Sequence, residues 1–110
     1  MIKDRTIEDY KVAGAWMRLL KCVESKAHIE CSKVLLKSDS DKFHVIENRL
    51  YTLCSNAENN MFDDFPAVGD EYVDVFYGAV DAAPRNRLDR EQIELAKELA
   101  TGLFGDNWDR

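Results

Sequence analysis

Apolar residues open the chain at helical spacing. Ala13, Trp16, Leu20, Val23, Ala27, Cys31 and Val34 follow one another at intervals of three and four, the stripe of an amphipathic helix. Thr6 stands where an N-cap belongs, and Glu8 and Asp9 occupy the first turn, where carboxylates favour the helix dipole. No proline interrupts before Lys37. The pattern predicts a helix over 7–36, a rod of about 45 Å at 1.5 Å per residue. KSDSD at 37–41 is a turn and cap cluster, because short polar side chains compete for backbone hydrogen bonds.

A second stripe, Phe43, Ile46, Leu50, Leu53, Ala57 and Met61, predicts a helix over 41–61 that returns antiparallel to the first. Pro66 and Gly69 then mark a loop. From Asp70 the pattern is two-sided. Val73, Phe76 or Tyr77, and Val80 fit a helix, whereas YVDVFY also alternates like a strand. A lone strand would find no partner elsewhere in the chain, so a helix over 70–82 is expected. The last element, 89–104, carries Asp89 and Gln92 as a capping box, with Leu88 and Ile93 as its hydrophobic staple. Its buried stripe is Ile93, Ala96, Leu99, Ala100 and Leu103, and Gly105 stops it. Trp108 is expected to fold back over a core edge. The fold class that follows is an all-α, single-domain four-helix bundle on a long antiparallel helical hairpin with two shorter helices.

A length of 110 residues, 45% hydrophobic and 33% charged, suits one folded domain and excludes a disordered chain. No apolar window is long enough to span a membrane, and MIKDRTIEDY has no signal core, so the expected address is cytoplasmic. Cys22, Cys31 and Cys54 are odd in number and lie in or beside helical stripes, as reduced thiols do.

Charge placement changes the picture more than its sum of −6. Residues 1–49 carry ten bases and eight acids; 50–84 carry seven acids (Glu58, Asp63, Asp64, Asp70, Glu71, Asp74, Asp81) and no base. The lysines of the first helix are mixed with acids, which does not make the stripe that nucleic acid needs. Direct nucleic-acid binding is therefore not expected.

Spacing limits the metal chemistry open to the chain. His28 and Cys31 share a helix face, but Cys22 lies about 180° away from Cys31 and cannot join them. His44 and Cys54 are out of alignment. Asp39 and Asp41 begin like a calcium loop, yet Phe43, His44 and Leu50 fill positions that need oxygen ligands or glycine. Glu71 with Asp74, and Glu91 with Glu94, each place two carboxylates on one helix face. Facing one another, they would hold magnesium for nucleoside triphosphate hydrolysis, although their order is the reverse of that in helical pyrophosphatases.

MFDDFPAVGDEYVDVFYG, residues 61–78, packs five carboxylates and five rings into eighteen residues with no base. Rings held in a negative field suit docking onto a basic protein, because aromatics give rigid contact area and uncompensated carboxylates steer encounter. The expected partner-binding residues are Phe62, Asp63, Asp64, Phe65, Asp70, Glu71, Tyr72, Asp74 and Tyr77. The expected function is a non-enzymatic acidic protein-binding module without cofactors. It would act as a small inhibitor or accessory subunit on a basic, nucleic-acid-binding partner, as a phage or mobile-element antagonist does. The alternative is the magnesium-dependent hydrolase using Glu71, Asp74, Glu91 and Glu94. Apolar residues beside the main stripe (Val12, Met17, Leu19, Ile29, Leu35, Leu36) also suit a homodimer through the long first helix.

Overall fold

The computed structural model describes residues 5–78, 80 and 83–105. Helix α1 spans Ile7–Cys31, a single turn α2 spans Lys37–Ser40, α3 spans Phe43–Asp64, a 3-10 turn covers Asp70–Asp74, and α4 spans Arg87–Phe104. The described residues are all-helical, with no strand among them. Trp108 and Asp81 lie outside the described residues.

Helix α1 starts where the sequence places it. The Thr6 hydroxyl accepts from the Asp9 N–H at 3.1 Å, and the Thr6 N–H donates to the Asp9 carboxylate at 2.8 Å, a reciprocal capping box. It ends at Cys31 rather than 36. The Ser32 hydroxyl donates to the His28 carbonyl at 2.7 Å, as does its N–H at 3.0 Å, and this back-bonding competes with helix continuation. The expected turn at 37–41 is instead helical for one turn. The 37–41 cluster supplies no cap to the second helix: α3 starts behind Lys42 with no side-chain cap. Helix α4 begins two residues ahead of expectation, because the Asn86 side chain caps the Asp89 N–H at 2.8 Å.

The largest departure concerns the helix expected over 70–82. Among its described residues only Asp70–Asp74 is helical, and as a 3-10 turn; residues 79, 81 and 82 lie outside the described residues. From Asp74 to Phe76 the carbonyls receive donors from outside the segment. The Arg18 guanidinium donates to the carbonyls of Asp74 and of Val75, Gln92 donates to that of Val75 at 3.1 Å, and Lys21 donates to that of Phe76 at 2.6 Å. Side chains of α1 and α4 thus replace the i→i−4 bonds a helix would need. Gly78 then turns the chain at φ 111°, a conformation glycine adopts without steric cost.

Helices α1 and α3 run antiparallel, from the Arg5–Asp64 pair at one end to the His28–Glu47 pair at the other. The core lies towards the first end. Tyr10, Cys54, Met61, Val75, Phe76 and Leu88 make one buried cluster. Ala15, Val80 and Ala96 make a second, with Cys22, Leu95 and Leu99 packed on it. The stripe expected on α4 is buried at Ile93, Ala96 and Ala100, while Leu103 is exposed.

Candidate functional site: an exposed apolar stripe and a histidine–glutamate cluster

Helix α1 turns its apolar stripe outward. Trp16, Leu20 and Val23 are 40%, 47% and 48% exposed, and Val34 stands almost free. The side turned inward carries Tyr10, Gly14, Ala15, Arg18, Leu19 and Glu24, with Lys21 half-buried; Leu19 is thus buried and Met17 packs on the core, rather than broadening an exposed dimer face. Arg18 is two residues from Trp16, about 200° round the helix, so the two lines lie on opposite faces. The expectation that the stripe 13–34 packs on the rest of the chain is therefore corrected.

What inverts the helix is the 75–78 segment. Gly14 has no side chain, and Val75 sits directly on it: a methyl there would meet the Val75 carbonyl oxygen and lie 2.6 Å from its Cγ1. Only a glycine face admits that approach. The cations beside it supply the hydrogen-bond donors the segment requires. Arg18 Nη1 also lies 2.8 Å from Asp89 Oδ1, with both side chains buried. Burial pulls the Arg18 pKa down against the attraction of Asp89. It pushes the Asp89 carboxyl up, but the Arg85 N–H and the Arg85 and Arg18 guanidinium groups outweigh it and hold Asp89 below the usual carboxylate range.

The nine residues expected to form an acidic-aromatic docking surface divide. Phe62, Phe65, Tyr72 and Tyr77 pack against the core. Asp64 is 2.8 Å from Arg5 Nε and accepts from the Tyr10 hydroxyl; burial and that bond push the Tyr10 phenol up to about 12. Asp74 pairs with Arg85 at 3.2 Å. Asp63, Asp70 and Glu71 lie exposed. So the rings are half sealed and two carboxylates are paired internally, leaving three acids of the nine on the outside. Two of the four carboxylates of the magnesium alternative are engaged elsewhere. Glu91 binds Lys11 at 3.1 Å and Arg87 at 3.3 Å, and Asp74 binds Arg85. These four are not among the groups of potential ligands that converge in the described residues.

One group does converge, where α1 and α3 meet away from the core. Glu24 and His28 on α1, and Glu47 on α3, bring donor atoms within 4.8 Å of one another. His28 Nδ1 lies 2.9 Å from Glu47 Oε2, and His44 Nδ1 lies 3.2 Å from Glu47 Oε1. The His28 ring stacks on Phe43 at 4.8 Å between centroids and meets His44 edge-on at 5.3 Å. Burial, then the neighbouring Glu47 carboxylate, push the Glu24 carboxyl up. The hydrogen bond from His28 is the main influence holding Glu47 down. Spacing along the sequence sets each histidine beside a cysteine and does not show this set. The signal was present as Glu24-x3-His28 and His44-x2-Glu47, each on one helix face; that α1 and α3 bring the two pairs together is a tertiary fact. Cys31 is half-buried and Cys54 buried, and Cys22, Cys31 and Cys54 are all free thiols.

The described helices include none long and apolar enough to cross a membrane. Compared with known protein families, with curated proteins and with solved structures, the chain matches none.

Proposed function

We propose that the protein is a non-enzymatic protein-binding module that lays the outer face of α1 into an apolar groove of a partner with a basic rim. The observation that carries this reading is the outward stripe of Trp16, Leu20 and Val23. With Ala13 and Ala27 it supplies contacts at i, i+3, i+7, i+10 and i+14, the anchor spacing by which an amphipathic helix is read in a groove. Trp16 is the natural central anchor, since a large ring gives contact area at low entropic cost.

Charge selects the partner. Asp9 and Glu30 stand on the same face as the stripe, one turn beyond each end. A second copy would set these acids against each other in either direction of pairing, and would bring −6 against −6. A basic rim would complement them instead, and the exposed Asp63, Asp70 and Glu71 add to long-range attraction. Within this reading the protein serves as a small inhibitor or accessory subunit of a basic, nucleic-acid-binding protein. The contact surface shifts from the 61–78 segment to α1, and the acids of that segment contribute steering.

The test separates binding from folding. Leu20→Glu and Val23→Glu change exposed positions, so each is expected to move stability by no more than about 0.5 kcal/mol. A partner captured from native lysate, then purified, should lose at least about tenfold in affinity for either variant, a loss near 1.4 kcal/mol. Neutralising Asp63, Asp70 and Glu71 together should slow association at low salt only. Sedimentation of the free protein should give a monomer. Unfolding of Leu20→Glu would show that the stripe is internal; unchanged affinity, or a concentration-dependent dimer lost in the variants, would replace the proposed partner.

A further inference from the structure

Of the titratable clusters in the described residues, the one between α1 and α3 has a feature its neighbours lack. Glu24 is 9% exposed, and its Oε2 is fully buried with no hydrogen-bond partner. A buried carboxylate oxygen without a donor is costly, and here it faces a second carboxylate, Glu47, rather than a lysine or arginine. Lys21 and Arg18, the cations one turn and nearly two turns earlier on α1, are committed to the Phe76 carbonyl and to Asp89. The cluster therefore has acceptors in excess and lacks a cation.

We propose that Glu24, His28 and Glu47 form a binding site for a divalent transition-metal ion of the zinc class, which braces the end of the α1–α3 pair. The donor set fits that class: imidazole nitrogen with carboxylate oxygen suits zinc, whereas magnesium prefers oxygen alone. Zinc–ligand bonds of about 2.0–2.2 Å place tetrahedral donors about 3.4 Å apart. The three donors already lie within 4.8 Å of one another, with His28 Nδ1 and Glu47 Oε2 at 2.9 Å, so side-chain rotation alone closes the site. His44 is a positioning residue: it holds the other Glu47 oxygen at 3.2 Å, as outer-shell partners of metal-bound carboxylates do. The role is structural because this end of the molecule has little else to hold it. Between Ser25 and Leu53 no residue is buried, and the His28–Phe43 stack is its main ring contact. The inference does not depend on the docking face of α1.

The test uses the full-length chain, stripped of metal and titrated with zinc chloride in a calorimeter. One zinc per chain is expected, with a rise in melting temperature. Glu24→Gln and Glu47→Gln should each weaken binding at least tenfold and abolish the thermal shift. His44→Ala, an exposed change, should weaken binding about tenfold, at the low end for outer-shell partners. Metal-free Glu24→Gln should melt no lower than the metal-free wild type, because it relieves a carboxylate pair; that keeps loss of binding distinct from loss of fold. Cobalt substituted for zinc should show ligand-field bands without a thiolate charge-transfer band. Absence of saturable zinc binding would mean that the two glutamates merely share a proton, and would overturn the proposal. So would binding unaffected by Glu24→Gln, or a thiolate band, which would transfer the metal to Cys31.

Discussion

Arg18 has a buried side chain on a helix whose main apolar stripe faces water, and its engagements explain why. It neutralises Asp89, and it donates to the Asp74 and Val75 carbonyls, so one guanidinium fixes three separate parts of the chain. Removing one partner of a buried pair leaves an uncompensated charge, which costs about 3–5 kcal/mol. Asp89→Asn is accordingly expected to lower unfolding free energy at neutral pH by about 3 kcal/mol in urea melts. The pH dependence has a definite sign. The Asp89 carboxyl lies below its ordinary value in the folded state, so its contribution is present above the unfolded pKa of about 3.9 and is lost as pH falls through the folded one. Melts between neutral pH and about pH 2 should show stability falling on the acid side of about pH 4 in the wild type, and a shallower fall in Asp89→Asn. Equal acid limbs would remove Asp89 from that role. None of this was legible beforehand, because an arginine in a stripe-bearing helix reads as solvated, and its partner lies in another element.

At the scale of elements, local signals set some ends of helices and left their faces undecided. The Thr6 N-cap and the Gly105 stop at φ 82° stand as expected, since such interactions are completed within a few residues, whereas the Asp89–Gln92 capping box gives way to Asn86, with Gln92 donating to the Lys11 and Val75 carbonyls instead. The 70–82 region shows the opposite case. Its pattern fits helix and strand alike, and its described residues past Asp74 are neither, because donors from α1 and α4 take the carbonyls of Val75 and Phe76. Docking of this segment on Gly14 should be the most substitution-sensitive contact between elements. Gly14→Ala would gain about 1 kcal/mol of helix propensity, yet its methyl would collide with Val75. The expected net effect is a loss of about 1–3 kcal/mol, read as a lower urea midpoint with unchanged m-value. A stabilised Gly14→Ala would show that α1 does not meet Val75 and that its inward face has been misassigned.

The whole molecule is longer than its residue count requires. Its radius of gyration is 15.4 Å and its extents are 47 × 31 × 25 Å, against a radius of about 13 Å for a compact domain of this length. The elongation comes from α1 and α3 continuing past the core, which ends near Cys54 on α3 and Cys22 on α1. Local stability should follow that asymmetry, since regions with few buried apolar contacts open first. In metal-free protein, amides of α1 after Ser25 and of α3 before Leu50 are expected to exchange with solvent at least about tenfold faster than those of Ile93–Ala100. Uniform protection along α3 would contradict that gradient.

What the sequence determined by itself is the all-helical class, the approximate spans of three long helices, the Thr6 cap and the Gly105 stop, because helix period and such caps depend on residues within a turn or two. It also determined a chain whose central third is acidic, though not where those acids would go. Only the tertiary structure decided which side of α1 is buried, that Phe62, Phe65, Tyr72 and Tyr77 close on the core, and that Glu24, His28 and Glu47 meet. The reason is physical: amphipathic spacing shows that a helix has an apolar face, but burial belongs to whichever face finds a complementary neighbour. Here a glycine gap and two cations answered the unpaired carbonyls of a distant segment, and the apolar stripe was left turned outward.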